Sequence, residues 1–414
     1  MKINTNLSIL VLVSILISCA KPTQRVNNIA QNPNASIQTG AEQTPQYLGY
    51  LANKRVGILA NPTTIIGQKH LVDSLLSRGV RIVKVFGPEH GFRGNASAGA
   101  KVDNEKDAAT GLPIISLYGK KRKPSAEDLA DIDVMIFDIQ DVGCRFYTYI
   151  NVLRDVMESC AEQNKELVIL DRPNPNGYLV DGPVLDMKYK SGIGQFPIPI
   201  AHGMTVGEFA QMINGEGWLP NKISCKLKII PVKNYNHDMA YTLPVRPSPN
   251  LNSQQSVLLY PAVCLFEGTI INLGRGTLTP FTILGSPKLK GKYTFSYTPT
   301  GIKGMSETPL HKDEVCYGLD LKNYDASSWR KDRRINFEWM IELYQAYPEK
   351  ERFFDRTYSK EMGNIDYLAG VSEFKNQIIA GKTMAEIRAT WEPKLSEYKE
   401  MRKKYLIYPW FWLI

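Results

Sequence analysis

The sequence predicts an α/β fold, with a Rossmann-like parallel-sheet domain followed by a smaller α+β domain. From Arg55 onward, short apolar segments alternate with segments of helical spacing. This alternation is typical of parallel strands covered by helices on both faces. The rhythm is lost after about residue 200. Polar residues follow several of the apolar segments, at the strand ends where open parallel sheets bind ligands.

The predicted strands are short apolar runs, and the predicted helices carry apolar residues three and four positions apart. Strands are expected at 55–60, 80–87, 113–119, 133–143 and 166–177. Helices are expected at 69–79, 124–132 and 149–164, and Ser125 is the expected N-cap of the second. These elements make up the first domain, to which we assign residues 47–200.

The second half is expected to form the smaller domain, over residues 201–414. Helical spacing recurs at 205–219, 337–348 and 372–405, and an apolar strand is expected at 225–232. A chain of 414 residues is longer than one hydrophobic core usually serves. Two domains are therefore the natural expectation.

The N-terminus predicts export. Lys2 precedes an apolar run that is short for a membrane span, and the run ends in Leu-Ile-Ser-Cys at Cys19. Residues 1–19 therefore resemble a bacterial lipoprotein signal, with Cys19 as the lipidated N-terminus; an ordinary signal peptide or anchor helix is the alternative. Residues 20–46 are polar and predict a flexible tether with a reach of about 25–30 Å. We expect a membrane-anchored protein on the periplasmic or cell-surface side.

Charge and cysteine content argue against a nucleic-acid-binding protein, a zinc protein and a disulfide-rich protein. The net charge of +9 suits an anionic partner, but no dense Lys/Arg block points to nucleic acid. Beyond Cys19, the cysteines are widely spaced and lack a C-x-x-C motif, which argues against a zinc site or a disulfide scaffold. We expect small buried residues at Cys144, Cys160, Cys225, Cys264 and Cys316.

Acidic residues lie at the exits of three of the predicted strands. Glu89 lies in "GPEHGFRG", Asp138 and Asp141 lie in "FDIQDVGCRFYTY", and Asp171 lies in "LDRPNPNG". Because parallel strands end at the same edge of a sheet, we expect these acids to line one cleft. A cap on a loop or helix is the ordinary alternative for any single one of them.

Several cofactor sites are not supported by motifs. The sequence has no G-x-G-x-x-G after its first strand, no phosphate-binding G-x-x-x-x-G-K-[ST], and no G-x-S-x-G elbow. His90, His202 and His237 lack the H-E-x-x-H spacing of a zinc hydrolase. We therefore expect no cofactor and no metal.

The remaining side chains suit glycoside hydrolysis. One carboxylic acid must protonate the leaving oxygen, while a second group acts as base, nucleophile or stabiliser. Tyr147 and Tyr149 can stack on sugar faces, with packing at a helix entry as the alternative.

The motifs together resemble a known family. The segments "NPTT", "FGPEHGFRG", "FDIQDVGCRFYTY", "LDRPNPNG", "GPVLD", "PIPIAHGMTVGE", "RPSPNL", "YPAVCLFEGT" and "GRGT" occur in this order. They resemble the NamZ/YbbC family of exo-β-N-acetylmuramidases over about residues 50–410. The resemblance implies a cleft between the two domains. It also implies release of N-acetylmuramic acid from the non-reducing end of peptidoglycan-derived saccharides, at the β-1,4 bond to N-acetylglucosamine, without a cofactor.

The resemblance also implies the site residues. Glu89 is the first candidate for the catalytic carboxylate, with Asp138, Asp141 and Asp171 as further catalytic candidates. The substrate-binding candidates are His90, Arg93, Gln140, Arg145, Tyr147, Tyr149, Arg172, Asn174, His202, Arg246, Asn250, Glu267 and Arg275. Ile271 and Asn272 depart from the family pattern, which bears on an outer subsite rather than on the chemistry.

The sequence leaves the mechanism open. The partner of Glu89 is one of Asp138, Asp141, Asp171 and Glu267, or else the N-acetyl group of the substrate itself. A carboxyl separation of about 5–5.5 Å would indicate retention and one of about 6.5–9.5 Å inversion. The lactyl carboxylate of muramic acid needs a cationic partner, and the candidates are Arg93, Arg145, Arg246, Arg275 and His202.

Two other classes of function compete with hydrolysis. A non-catalytic lipoprotein that binds peptidoglycan or muropeptides would keep the aromatic and arginine residues but would need no acid. A Rossmann-type transferase that uses a nucleotide sugar would need a phosphate-binding loop, which the sequence lacks.

Overall fold

Twelve strands and eleven α-helices form the part of the chain that the structure, a computed structural model, describes: residues 36–89, 91–94, 105–355 and 363–409. The strands are β1 (Val56–Ala60), β2 (Ile65–Ile66), β3 (Lys69–His70), β4 (Ile82–Gly87), β5 (Glu105–Lys106), β6 (Pro113–Ser116), β7 (Val134–Asp138), β8 (Glu166–Leu170), β9 (Lys226–Ile230), β10 (Ile283–Ser286), β11 (Phe295–Tyr297) and β12 (Cys316–Asp320). The helices are α1 (Leu48–Leu51), α2 (Leu71–Leu76), α3 (Ala126–Leu129), α4 (Tyr149–Glu162), α5 (Val206–Gly215), α6 (Gln254–Val263), α7 (Ser327–Asp332), α8 (Glu338–Ala346), α9 (Ile365–Ala369), α10 (Glu373–Ile379) and α11 (Met384–Lys403).

The main sheet has the order β5-β6-β4-β1-β7-β8-β9. Its strands from β6 to β9 are parallel, and the edge pair of β5 and β6 is antiparallel. The chain runs outward from β1 through β4 to β6, then returns to the other side of β1 and continues through β7, β8 and β9. This reversal of direction beside β1 is the strand order of a Rossmann-like sheet. The predicted fold class is confirmed.

Both faces of the main sheet are buried, because alternate residues of a strand point to opposite faces. In β1, Ile58 joins a cluster with Leu71 and Leu75 of α2 on one face. Leu59 points the other way, into a larger cluster that also contains Leu153 of α4. Burial on both faces explains why these strands read as continuous apolar runs rather than as alternating ones.

Several helices begin at a capping box, in which a hydroxyl and an acid satisfy each other's backbone N–H groups. Ser125 caps α3 in this way with Asp128, as predicted. Thr205 caps α5 with Glu208, and Thr383 caps α11 with Glu386. The capping box at Ser125 explains why the start of α3 could be predicted, whereas the helical segment expected at 372–405 is divided into α10 and α11.

The second half forms a smaller antiparallel sheet and a group of helices. Its sheet has the order β10-β12-β11. The five cysteines of the described residues, Cys144 and Cys316 among them, are buried free thiols, as expected. Within the described ranges, no helix combines the length and hydropathy that a membrane crossing requires.

Two of the predicted segment boundaries can be compared with the structure. Strand β9 (Lys226–Ile230) belongs to the main sheet, so the predicted boundary at residue 200 falls within the span of that sheet. The predicted tether, 20–46, ends in residues that pack against the folded unit. Ala41 is fully buried, and the Gly40 N–H donates to the carbonyl oxygen of Asp171 at 2.7 Å. A side chain at Gly40 would collide with the backbone of Ile230, so only glycine allows this approach.

Candidate active site

The candidate site lies where the strand order reverses, at the carboxyl ends of β4, β1 and β7. A crevice at such a reversal is the usual ligand site of an open parallel sheet. Glu89 follows β4, Asn61 follows β1, and Asp141 follows β7. The loop after β4 turns tightly: Gly94 has φ +78°, and a Cβ there would lie 2.8 Å from Cγ of Pro62.

Two tyrosines occupy the centre of this edge. The rings of Tyr147 and Tyr149 meet edge to face, with centroids 4.8 Å apart. The Tyr147 hydroxyl donates to the carbonyl oxygen of Pro247 at 2.9 Å, and the Asn61 amide donates to the Tyr149 hydroxyl at 2.9 Å. Burial raises the pKa of both tyrosines well above the ordinary value, and the negative charges of Glu89 and Asp141 add to this effect. Both acids therefore lie within electrostatic range of the same two rings.

Glu89 is half-buried, so part of its side chain meets solvent. Tyr118, which follows β6, is hydrogen-bonded to Glu89, and burial together with this acid raises the pKa of Tyr118 to about 12. A phenol beside a carboxyl group can hold its orientation. The next residue, His90, lies outside the described residues.

Asp138 and Arg172 form a buried ion pair. The guanidinium donates from Nε to Oδ1 at 2.6 Å and from Nη2 to Oδ2 at 2.9 Å. Burial raises the pKa of Asp138, and the adjacent guanidinium counters that effect. Both side chains are committed to each other, which favours a structural function for them.

Asp171 is also saturated with donors. Its Oδ2 accepts from the hydroxyls of Thr205 and Tyr408 at 2.7 and 2.6 Å. Its Oδ1 accepts from the backbone N–H groups of Gly207 and Arg172 at 2.9 and 3.0 Å. Burial raises the pKa of Asp171 to about 6 despite these donors. The carboxylate thereby fixes the start of α5 and the C-terminal segment, and it is fully buried.

Asp141 differs from these two acids because one of its oxygens keeps no partner. Its Oδ2 accepts the Gly143 N–H at 2.6 Å and lies 3.5 Å from Nε2 of His202. Its buried Oδ1 has no hydrogen bond with the described residues. His202 accepts the Met204 N–H at Nδ1, so a neutral ring carries its proton on Nε2, facing Asp141. His202 is thus a neighbour of an acid rather than an exposed group.

Most of the predicted arginines are already bound. Arg93 pairs with Asp73 and Asp107, both at 2.8 Å. Arg145 is buried and donates to the carbonyl oxygens of Pro183, Ile198, Leu368 and Ala369. Burial lowers the pKa of Arg145 to about 9. It links the C-terminal end of α9 to the loops of the main sheet.

Arg275 and Arg246 lie on loops of the second half. Arg275 donates through Nε to the buried Glu267, and the two form an ion pair. Arg246 is exposed, and it makes no hydrogen bond or ion pair with the described residues. It precedes Pro247, whose carbonyl oxygen holds Tyr147. Arg246 is therefore the predicted arginine that is available to a ligand at this edge.

The predicted amides serve mainly as braces. Gln140 donates to the carbonyl oxygens of Asp141 and Pro173, both at 2.8 Å. Asn174 donates to the carbonyl oxygen of Met204 at 2.9 Å. Asn250 donates to the carbonyl oxygen of Met305 at 3.0 Å, and its buried Oδ1 keeps no partner among the described residues.

The sequence reasoning missed Asn61 and Tyr118. Asn61 opens the "NPTT" motif directly after β1, and Tyr118 follows β6 by two residues. Both stand at the same edge as Glu89, so the rule that placed the acids would also have placed them.

Two further features bear on ligand binding. Among the described residues, no group of three or more His, Cys, Asp or Glu side chains is arranged to hold a metal ion. A separate pocket of about 540 Å³ lies between α7, α8 and α11, and its lining, which includes Trp329, Arg334 and Arg388, contains none of the predicted site residues.

The chain matches two family models along nearly its whole described length. The model "Exo-beta-N-acetylmuramidase NamZ, N-terminal" matches residues 56–255, and "Exo-beta-N-acetylmuramidase NamZ, C-terminal" matches residues 258–408. A protein of Bacillus subtilis (strain 168) named peptidoglycan β-N-acetylmuramidase NamZ is 36% identical over 419 residues, which cover 95% of this chain and 96% of the relative.

Solved structures of relatives have the same fold. Two crystal structures of DUF1343 family proteins from Bacteroides fragilis NCTC 9343 are similar to this chain. The protein BF0379 gives a TM-score of 0.82 at 44% identity, over 90% of this chain and 99% of its own. The protein BF0371 gives a TM-score of 0.77 at 31% identity, over 91% of this chain and 100% of its own. The chain therefore belongs to the NamZ family of exo-β-N-acetylmuramidases and is a glycosidase.

Proposed function

We propose that this glycosidase releases N-acetylmuramic acid from the non-reducing end of peptidoglycan-derived saccharides, by hydrolysis of the β-1,4 bond to N-acetylglucosamine. Its family and the name of its Bacillus subtilis relative support this substrate. The observation that carries the proposal is the half-buried acid Glu89 beside the tyrosine pair at the strand reversal. An acid that meets solvent at the mouth of a crevice can protonate the oxygen of a bound glycoside.

Glu89 is the proposed general acid because the other predicted acids are less accessible. Asp138, Asp171 and Glu267 are 0% exposed, and Asp141 is 5% exposed, whereas Glu89 is half-buried. A carboxylate that attacks the anomeric carbon must touch the sugar. The burial of these four acids therefore favours a mechanism in which the substrate supplies its own nucleophile.

In the proposed mechanism, the N-acetyl oxygen of muramic acid attacks C1 while the C1–O bond to N-acetylglucosamine breaks. Glu89 gives its proton to the departing oxygen, and an oxazolinium ring forms on the sugar. Water then attacks C1, the ring opens, and the Glu89 carboxylate takes the proton from that water. Two inversions at C1 retain the β configuration.

Asp141 is the proposed electrostatic partner of this chemistry. The bicyclic intermediate carries a positive charge, and a fixed carboxylate nearby lowers the free energy of the transition state that leads to it. The unpartnered Oδ1 and the shared electrostatic range with Glu89 support this function. His202, 3.5 Å from Oδ2, is proposed to hold Asp141 in place rather than to bind sugar.

Arg246 is the proposed partner of the lactyl carboxylate. Of the predicted cationic candidates, Arg93, Arg145 and Arg275 are bound within the protein, and His202 is buried. Arg246 is exposed, and its neighbour Pro247 holds the tyrosine beside Glu89. A guanidinium there can bind a carboxylate through two hydrogen bonds.

The test of Glu89 uses the disaccharide of N-acetylmuramic acid linked β-1,4 to N-acetylglucosamine. Glu89→Gln keeps the shape of the side chain but removes its proton, so we expect kcat to fall by about 10³-fold or more. The exposed Glu127→Gln on α3 is the matched control and should keep full activity. Near-wild-type turnover by folded Glu89→Gln protein would remove Glu89 from the mechanism.

A second measurement tests the nucleophile. Fluorination of the N-acetyl methyl group makes the amide oxygen less nucleophilic. If that oxygen attacks C1, the rate should fall with each fluorine added, by about tenfold or more across the whole series. Rates that stay level across the series would contradict participation of the N-acetyl group and would return Asp141 to consideration as nucleophile or base.

We also propose that the enzyme is exported and anchored to a membrane through a lipid on Cys19. The pattern of residues 1–19 supports this localisation. Radioactive palmitate should label the wild-type protein in a bacterial host and should not label Cys19→Ser. Equal labelling of the two proteins would contradict an anchor at Cys19.

A further inference from the structure

Leu278 is unusually exposed for a large apolar residue. Its side chain is 78% exposed, whereas the other exposed large apolar residues of the described chain are Ile379 at 50%, Val315 at 47% and Met187 at 42%. Exposure of one leucine is ordinary by itself. The structure around this leucine is what calls for an explanation.

Leu278 sits on a loop that is braced at several points. The Phe281 N–H donates to the carbonyl oxygen of Leu273 at 2.8 Å and closes the loop. Within it, the Thr277 hydroxyl donates to the carbonyl oxygen of Gly274 at 2.7 Å. These hydrogen bonds fix the backbone on either side of Leu278, so the leucine is held out from the surface at little further entropic cost.

Asn272 holds the same loop from its base. Its Oδ1 accepts the Gly274 N–H at 2.7 Å, and its Nδ2 donates to the carbonyl oxygen of Arg275 at 3.2 Å. The Tyr297 hydroxyl donates to the Asn272 carbonyl oxygen at 2.8 Å. The asparagine that departs from the family pattern is thus a support of the loop that presents Leu278.

The loop is joined to the segment that carries Arg246. Nδ2 of Asn252 donates to the carbonyl oxygen of Leu278 at 3.0 Å. Asn252 follows a turn in which the Leu251 N–H donates to the Ser248 hydroxyl, directly after Pro247. The loop of Leu278 is therefore joined, through Asn252 and this turn, to the residue whose carbonyl oxygen holds Tyr147 beside the crevice.

We propose that Leu278 lies on the rim of this crevice and forms an outer subsite, where it contacts the apolar face of the N-acetylglucosamine that leaves after cleavage. This inference rests on the proposed function. An exo-acting enzyme encloses the terminal sugar, so the rest of the chain must leave across the rim. The C–H groups on one face of a pyranose ring present an apolar surface, and a leucine on a braced loop can bind it without the cost of ordering the backbone.

Binding to the inactive Glu89→Gln protein tests this subsite directly. The ligands are the disaccharide described above and free N-acetylmuramic acid, and Kd is measured by calorimetry. Leu278→Asn should weaken disaccharide binding by about five- to tenfold, the loss expected for part of one buried leucine. Binding of N-acetylmuramic acid should stay within about twofold, since this sugar does not reach the rim.

Two further variants separate contact from stability. Leu278→Met keeps an apolar side chain and should retain disaccharide binding within about threefold. Ile379→Asn replaces an exposed apolar residue on α10, outside the crevice loops, and should change neither Kd. Equal weakening of both sugars by Leu278→Asn, or no weakening of either, would overturn the subsite. If the wild-type enzyme does not cleave the disaccharide at all, the proposed function fails and the subsite fails with it.

Discussion

Arg172 meets Asp138 through two hydrogen bonds, from Nε to Oδ1 at 2.6 Å and from Nη2 to Oδ2 at 2.9 Å, with both side chains withdrawn from solvent. Asp138→Asn would leave a buried guanidinium without its counter-charge. We expect the free energy of unfolding to fall by about 3–5 kcal/mol, measured by urea denaturation.

The double variant Asp138→Leu/Arg172→Met provides the control for this pair. It removes both charges and keeps similar volume, so its loss should be smaller than that of Asp138→Asn alone. A double variant that is as unstable as the single one would show that the loss does not come from an unpaired buried charge.

The ion pair between Arg93 and Asp107 is expected to make an acid-sensitive contribution to stability. It binds Asp107 at 2.8 Å, and this guanidinium holds the pKa of Asp107 down to about 2. An acid with a lowered folded-state pKa stabilises the protein above its ordinary value near 4 and loses that contribution as the pH falls toward 2. The stability advantage of wild type over Arg93→Ala should therefore shrink by about 1–2 kcal/mol between pH 7 and pH 2.

Urea denaturation of both proteins across this range measures the advantage. The exposed Arg352→Ala should track wild type at every pH, because its ion-pair contacts are long, at 3.9 Å. An advantage of wild type over Arg93→Ala that stays constant with pH would contradict the assignment to Asp107.

The contribution of Asp171 to stability is expected to depend on pH in the opposite direction. Its folded-state pKa is raised to about 6, so the folded protein binds this proton more tightly than the unfolded chain does. The resulting stability is complete below the ordinary value near 4 and is lost as the pH rises through 6. Relative to that of Asp171→Asn, the free energy of unfolding of the wild type should fall by about 2 kcal/mol between pH 4.5 and pH 7.5. A difference that stays constant over this range would show that Asp171 is ionised at both pH values.

The sequence allowed the fold to be predicted because its signals are local. The apolar run of β7 and the capping box at Ser125 each lie within a few neighbouring residues. The position of β9 in the main sheet could not be predicted in this way. Its partner β8 lies about sixty residues earlier, across a long crossover connection, and periodicity does not say which strands pair.

The edge of the site was also predictable, but the state of each acid was not. Asp138 is the last residue of β7 and Glu89 lies just after β4, so both acids stand at strand ends. Only the contact with Arg172, 34 residues away, separates the ion-paired acid from the accessible one. Arg145 looked like a ligand-binding residue, yet its guanidinium is held by the carbonyl oxygen of Leu368, 223 residues later. Such contacts depend on tertiary packing, which a motif does not record.

Arg246 is expected to determine the selectivity of the enzyme for N-acetylmuramic acid over N-acetylglucosamine. If its guanidinium binds the lactyl carboxylate, Arg246→Ala should lower kcat/KM for a β-glycoside of N-acetylmuramic acid by about 10- to 100-fold, the loss of one charge-assisted contact. The N-acetylglucosaminyl analogue lacks the carboxylate, so its slow hydrolysis should not change. Arg246→Lys keeps the charge but not the paired hydrogen bonds and should fall between the two. Equal loss on both glycosides would mean that Arg246 supports the fold of the loop instead of binding the carboxylate. Unchanged kcat/KM on both glycosides in a stable Arg246→Ala protein would exclude it from substrate recognition.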